Sequence, residues 1–143
     1  MYKSLSLVFR NNTILDRITL NDIKSYISSN EIALISSHKR LSISVIRRIS
    51  NKMRIGIRFD EIKVCDCIII DGHHRYISSL LANYIIGQVP SSKTSATIPY
   101  EWNTVEFVDE EWDTEAKIAE RNRLDAEYNG VDLKIVTDIT NNL

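Results

Sequence analysis

Apolar residues recur at regular spacings along most of the chain, and these spacings predict its first elements. Residues Tyr2 to Phe9 alternate between apolar and polar and indicate a strand. The stretch from Ile14 to Ile35 has no clear period. Beyond it, apolar residues recur at helical spacing, namely Val45, Ile46, Ile49 and Met53. This pattern predicts a helix that begins after a capping serine, Ser42 or Ser44, and ends at Gly56.

The centre of the chain predicts a strand that leads directly into a second helix. Residues Ile57 to Val64 and the apolar run Cys65 to Ile70 indicate two short strands or one bent strand, which Asp71-Gly72 ends. An amphipathic stripe follows at i, i+3, i+4, i+7 and i+8, formed by Ile77, Leu80, Leu81, Tyr84 and Ile85. We therefore predict a strand, loop and helix over residues 68–86, with Gly87 ending the helix.

The last third of the chain predicts a loop, a helix and a final strand. Residues Gln88 to Tyr100 contain both prolines and predict a strand and a loop that add little to the core. Asp113 or Thr114 is a candidate cap for a helix that ends at Asn129-Gly130. Residues Val131 to Thr137 are then expected to form a last strand.

Length and composition favour one ordinary folded domain. The chain has 143 residues, of which 43% are hydrophobic and 26% charged, enough for a single core. Cys65 and Cys67 fall in one apolar run, which suggests neither a disulfide framework nor a zinc site. No apolar run is long enough to span a bilayer and the N-terminus lacks a secretory signal, so we expect a cytoplasmic protein without membrane contact.

Charge is distributed unevenly along the chain. Residues 38–63 hold eight Lys or Arg against two acids, and residues 101–132 hold eleven acids against three basic residues. A basic region beside an acidic one suits a phosphate-bearing ligand. Two solvated faces of opposite sign would give the same pattern, and both interpretations stay open here.

The segment IIIDGHHRY, residues 68–76, carries the clearest chemistry. A buried strand reaches a glycine and a helix begins at once, so free backbone N–H groups would meet the positive end of the helix dipole. Gly72 allows close approach, and Arg75 could fork onto phosphate oxygens. His73 and His74 could donate hydrogen bonds or move a proton, and Asp71 could bind a metal, contact a ribose or cap the helix. The simpler interpretation is an Asp-Gly turn required by geometry alone.

Three other groups are weaker candidates. His38, Lys39 and Arg40 could add phosphate contacts, or they could form a solvated loop. Cys65 and Cys67 with the two histidines could be offered as a metal cluster, but residues packed in a strand explain them more simply. Aromatic residues of the acidic region could stack on bases, although packing is favoured for them: Tyr100, Trp102, Phe107 and Trp112.

Residues 41–90, a helix followed by MRIGIRFDEIKV and CIIIDGHHRYISSLLANYIIGQVP, resemble the core of the ParB/sulfiredoxin superfamily. The resemblance implies a single-domain α+β fold with a small mixed sheet, extended over about residues 100–143 by an acidic helix and strand. It also implies phosphate contacts for Gly72, His74 and Arg75, because a loop of this type grips nucleotide phosphates in that family.

Members of the superfamily have several activities, and the sequence favours some over others. Sulfiredoxin activity is disfavoured because His73 stands where that motif has its catalytic cysteine. The favoured function is a small nuclease, such as a bacterial toxin module, that acts on nucleic acid with Mg²⁺ or Mn²⁺ and is delivered into another cell in the toxin case.

Two alternatives to the nuclease remain. The first is a phosphotransferase of the free-serine-kinase type, which would use ATP, ADP or CTP and need a carboxylate such as Glu31, Asp60 or Glu61. The second is a non-catalytic binding or immunity protein that contacts a basic protein partner through the acidic C-terminal segment, including Glu110 and Glu111.

Overall fold

The computed structural model describes residues 17–141, and the strand predicted over Tyr2 to Phe9 lies outside them. The described chain is a small α+β protein with five α-helices. The helices are α1 (Leu20–Ser29), α2 (Ile43–Arg54), α3 (His73–Leu81), α4 (Glu115–Asn129) and α5 (Leu133–Asn141). The strands are β1 (Arg40–Ser42), β2 (Ile62–Cys65), β3 (Ile68–Asp71), β4 (Gln88–Pro90) and β5 (Glu106–Val108), and a 3₁₀ turn covers Trp102–Thr104.

The strands form two small sheets. In one, β2 lies between β3, which is antiparallel to it, and β4, which is parallel. In the other, β1 pairs with β5 in parallel. The predicted small mixed sheet is therefore present as two separate parts, and β1 leads directly into α2 while β3 leads through one residue into α3.

Several predicted boundaries are confirmed. Helix α2 begins after Ser42, whose hydroxyl accepts the N–H of Val45, and it ends just before Gly56. Helix α4 begins after Thr114, whose hydroxyl accepts the N–H of Lys117, and it ends at the left-handed Gly130. The capping chemistry that is visible in the sequence thus determines both helices.

The sequence suggested that Cys65 and Cys67 lie in one strand, but in the structure they do not. Cys65 ends β2, and Asp66 and Cys67 form a two-residue turn with φ of 49° and 67°. Positive φ at both central residues is the geometry that joins antiparallel strands tightly. The apolar run is therefore divided between two strands, and both cysteines are free thiols.

Helix α3, which follows the Asp71-Gly72 loop, is shorter than predicted. It ends at Leu81, not at Gly87, and the chain turns at Asn83, which has a φ of 55°. In the extended segment that follows, Tyr84 and Ile86 face inwards while Ile85 is 97% exposed. The first part of the predicted apolar stripe lies on helix α3, and the rest lies on an extended segment. In an extended segment alternate residues face the core, so Ile86 is buried where helical spacing predicted Ile85.

The predicted last strand is wrong, because residues Leu133–Asn141 form α5. Val136 of this helix is fully buried and packs with Ile57 and Ala126. The main core lies elsewhere, between α1, α2, α3 and the two sheets, and includes Leu41, Ile46, Ile69 and Ile77. Within residues 17–141 no helix is long and apolar enough to cross a membrane.

Candidate functional site

The loop between β3 and α3 requires a glycine. Gly72 has a φ of 101°, and a Cβ placed there would lie 2.5 Å from Cγ2 of Ile62 and 2.9 Å from an Arg75 guanidinium nitrogen. Gly72 is the N-cap of α3, and no side chain of the described part caps this helix. The first-turn N–H groups of α3 are thus left for water or for a bound anion.

His73 is a buried neutral hydrogen-bond donor. Its Nε2 lies 3.0 Å from the N–H of Ser37, which donates to it, while the Ser37 hydroxyl donates to the carbonyl of Ile69 at 2.6 Å. The proton of the neutral ring therefore sits on Nδ1, and this buried atom has no hydrogen-bond partner among the described residues. Burial lowers the pKa of His73 to about 3, and the nearby His38 and His74 act in the same direction.

His74 has the same tautomer for the same reason. Its Nε2 accepts the N–H of Ser42 at 2.9 Å, so Nδ1 carries the proton. Burial lowers the pKa of His74 to about 4, with a smaller contribution from His38 in the same direction and an opposing one from Asp113. Both histidines are thus uncharged donors at neutral pH, and the lone pair that a general base needs is occupied in each.

Arg75 and Asp71 join the loop to the segment before β2. The Arg75 guanidinium donates to the carbonyls of Asp60 and Glu61 at 2.9 and 3.0 Å. Its second terminal nitrogen lies 3.5 Å from a carboxylate oxygen of Asp71, whose side chain is 64% exposed. Arg75 is therefore held by the backbone, whereas the Asp71 carboxylate largely faces solvent.

These groups line one cleft of about 1010 Å³ between the start of α3, α2 and α4. The structure brings together in it six of the predicted site residues, which are His38, Asp71, Gly72, His73, His74 and Arg75. The ring of His38 stacks on that of His73 with centroids 3.8 Å apart. Lys39 and Arg40 are not part of its lining, and Arg40 forms ion pairs with Glu106 and Glu110.

The basic and acidic regions of the sequence neutralise each other. Three cations of α2 are almost fully buried: Arg47, Arg48 and Lys52. Their partners come from the acidic region, in the pairs Arg47–Asp109, Arg48–Glu111, Arg48–Asp113 and Lys52–Asp125. Part of the charge asymmetry of the sequence is thus an internal contact between α2 and the acidic region in the folded chain, although most of the acidic side chains are exposed.

Sequence reasoning missed the opposite wall of the cleft. Helix α4 contributes Arg121 and Tyr128 to it, and Arg58 lies at the same wall. Trp112, predicted as a packing residue, is 43% exposed and meets the ring of His74 at 87°. The helical spacing of the α4 residues was visible in the sequence, but which face of α4 lines the cleft depends on tertiary packing. Trp102 and Phe107 are buried, as predicted.

Residues 17–141 contain no cluster of three or more His, Cys, Asp or Glu side chains that could hold a metal ion. The carboxylates of Asp60 and Asp71 line the same cleft, and one or two carboxylates are the usual protein contribution where Mg²⁺ is also held by substrate phosphates and water.

Comparisons of the chain with family models, with curated proteins and with solved structures gave no match. The fold and the cleft define a small α+β protein with a strand–glycine–helix loop at a histidine-lined cleft. The resemblance to the ParB/sulfiredoxin superfamily stays a prediction.

Proposed function

We propose that the chain is a ParB/sulfiredoxin-type domain that binds a phosphate of nucleic acid at the start of α3 and hydrolyses a phosphodiester bond. The observation that supports this proposal is a helix start that no side chain caps, in a cleft that His74 also lines. The first N–H groups of a helix have no partner within it, and a bound anion would satisfy them.

His74 and the start of α3 hold the phosphate, and a carboxylate performs the proton transfer. The Nδ1–H of His74, together with the backbone N–H groups of α3, would stabilise charge on the phosphoryl oxygens. Asp71 is exposed and lines the cleft, so it is the proposed base that takes a proton from the attacking water. The water oxygen bonds to phosphorus, the bond from phosphorus to the leaving oxygen breaks, and that oxygen takes a proton from solvent. Mg²⁺ or Mn²⁺ is the proposed cofactor; Asp60 would hold it, and the ion would neutralise charge on the phosphoryl oxygens.

The position of Asp60 favours one alternative, a nucleotide-dependent phosphotransferase. That activity needs a carboxylate to accept the proton of a hydroxyl acceptor. Asp60 lines the cleft beside the loop, whereas Glu31 and Glu61 do not. Asp60 is therefore the carboxylate that this second function would use.

Two conservative variants separate binding from chemistry. We expect His74→Gln, which keeps an acceptor for the Ser42 N–H but has no N–H at the position of Nδ1, to weaken phosphate binding about tenfold. We expect Asp71→Asn to bind phosphate at least as well as the unaltered chain and to lose at least about a hundredfold in turnover. Pyrophosphate binding by calorimetry and cleavage of plasmid DNA and total RNA with Mg²⁺ or Mn²⁺ measure the two effects.

Lys134→Gln is the matched control, because it removes one exposed charge outside the cleft. If His74→Gln abolished cleavage of nucleic acid but left pyrophosphate binding intact, His74 would act as the base. That result would contradict the roles assigned to His74 and Asp71. Turnover of ATP or CTP with intact nucleic acid, lost in Asp60→Asn, would establish the phosphotransferase instead. Absence of any turnover would favour a non-catalytic binding or immunity protein.

A further inference from the structure

The wall of the cleft opposite α3 is a long stripe on α4. Lys117, Arg121, Leu124 and Tyr128 all line the cleft, and their spacings of four, three and four residues place them on one helix face. From Lys117 to Tyr128 this face is about 16 Å long at the α-helical rise. A single phosphate at the start of α3 would occupy only part of such a cleft.

Two cations at this wall, Arg121 of the stripe and the neighbouring Arg58, have no ion-pair partner among the described residues. The ion pairs seen in the described chain include Lys117 with Asp113 but none for Arg121 or Arg58. The backbone N–H of Arg58 donates to the Asn129 side chain at 2.7 Å, which fixes this residue beside the end of α4. Arg58 and Arg121 thus line the cleft at a wall separate from the loop between β3 and α3. These two cations suit a second anionic group of the same ligand.

Exposed aromatic side chains lie in the same cleft. Trp112 is 43% exposed and Tyr128 is 60% exposed, and Leu124, which also lines the cleft, is 44% exposed. Large apolar side chains that are exposed within a cleft are available for contact with a ligand. Flat rings beside unpaired cations are the combination that holds single-stranded nucleic acid.

We propose that the cleft binds single-stranded nucleic acid, with one phosphate at the α3 loop, a neighbouring phosphate at Arg121 and Arg58, and an unstacked base on Trp112. This inference rests on the proposed function and specifies its substrate. A duplex does not fit the arrangement, because its base faces are covered by their neighbours and are unavailable to Trp112. A nucleoside monophosphate has a single phosphate and would leave Arg121 and Arg58 without an anion.

The test uses labelled single-stranded DNA and RNA about eight nucleotides long, made resistant to cleavage by phosphorothioate linkages, and the corresponding duplexes. We expect fluorescence anisotropy to show preference for the single strands. Arg121→Gln should weaken binding and reduce the slope of log affinity against log salt by about 0.7, whereas the control Lys134→Gln should leave both unchanged.

Trp112 offers a second, independent measurement. We expect Trp112→Ala to lose about tenfold or more in affinity, while Trp112→Phe keeps most of it because a phenyl ring also stacks. The oligonucleotide should quench tryptophan fluorescence in the unaltered chain but not in Trp112→Phe, because the remaining Trp102 is buried.

The outcomes separate this inference from the proposed function. Equal affinity for duplex, or unchanged single-strand binding in both Arg121→Gln and Trp112→Ala, would overturn the inference. Mononucleotide binding as tight as that of the oligonucleotide would overturn it too. In each case, pyrophosphate binding that His74→Gln weakens would still support the phosphate site at α3. If the unaltered chain did not bind pyrophosphate either, both this inference and the proposed function would be overturned.

Discussion

At the scale of single residues, Gly72 and the two histidines after it determine the shape and chemistry of the loop. Gly72 supplies both a positive φ and the space beside Ile62 that any side chain would fill. The histidines are fixed as donors because backbone N–H groups of Ser37 and Ser42 occupy their Nε2 atoms. The local sequence therefore specifies which groups are present, and their hydrogen-bond partners specify which end of each ring is available.

Alanine in place of Gly72 is expected to destabilise the chain by at least about 2 kcal/mol, because it adds a steric clash to an unfavourable φ. Gly56 provides a matched control, since its φ is 96° but a Cβ there would meet no atom within 4 Å among the described residues. We expect Gly56→Ala to cost only about 1 kcal/mol, from backbone strain alone. Urea denaturation measures both, and equal losses would show that the contact with Ile62 is unimportant.

His73 is expected to make stability depend on pH. Its pKa is lowered to about 3 in the folded chain, chiefly by burial, whereas an unfolded histidine titrates near about 6.5. Below about pH 6.5 the unfolded state therefore binds a proton that the folded state does not. The stabilisation present above that pH is lost as the pH falls, by about 1.4 kcal/mol per pH unit for this group between about pH 6 and 4.

His73→Gln isolates this contribution. Carboxylates and His74 titrate in both proteins, so the difference between their unfolding free energies should shrink as the pH falls from about 6.5 to 4. Urea denaturation across that range measures the difference. A difference that stays constant with pH would mean that His73 is not a buried neutral histidine.

At the scale of elements, α2 and α4 are joined by charges that are distant in sequence. Lys52 of α2 is 4% exposed and lies 2.8 Å from Asp125 of α4. Burial lowers the pKa of Lys52, while Asp125 opposes that shift. The acidic partner is therefore needed to keep a buried ammonium charged, and it also places α4 as the wall of the cleft.

Asp125→Asn is expected to destabilise the chain by about 3 kcal/mol, because it leaves a buried charge without its counter-charge. Replacing both partners, in Lys52→Met with Asp125→Asn, should recover much of that loss since no buried charge remains. Glu120→Gln on the same helix is the control, because it affects only an exposed pair with Arg123, and it should change stability little. Thermal or urea unfolding distinguishes these cases, and a double variant no better than Asp125→Asn would contradict the explanation.

At the scale of the whole molecule, the fold uses part of its charge to hold itself together. The acidic region from Asp109 to Asp125 covers the basic face of α2. What remains open to a ligand is the start of α3 and the stripe of α4. The net charge of −1 therefore says little about the cleft, whose unpaired cations are local.

The sequence by itself determined the elements whose start and end chemistry is local. Helices α2 and α4 follow from Ser42, Thr114 and Gly130, and the strand–glycine–helix loop follows from Asp71-Gly72, since caps and glycine turns act over a few residues. The α+β class also agrees with the prediction from sequence.

Tertiary structure decided what depends on contacts between distant residues. Residues 131–137 alternate like a strand, yet they belong largely to α5 because burial of Val136 against Ile57 and Ala126 outweighs a weak local pattern. Packing likewise selected the face of α4 that brings Arg121 and Tyr128 to the cleft. It also made His73 and His74, two candidate bases, hydrogen-bond donors, because backbone N–H groups occupy their Nε2 atoms. Local sequence cannot encode these outcomes, because a side chain's hydrogen-bond partner and burial are set by residues tens of positions away.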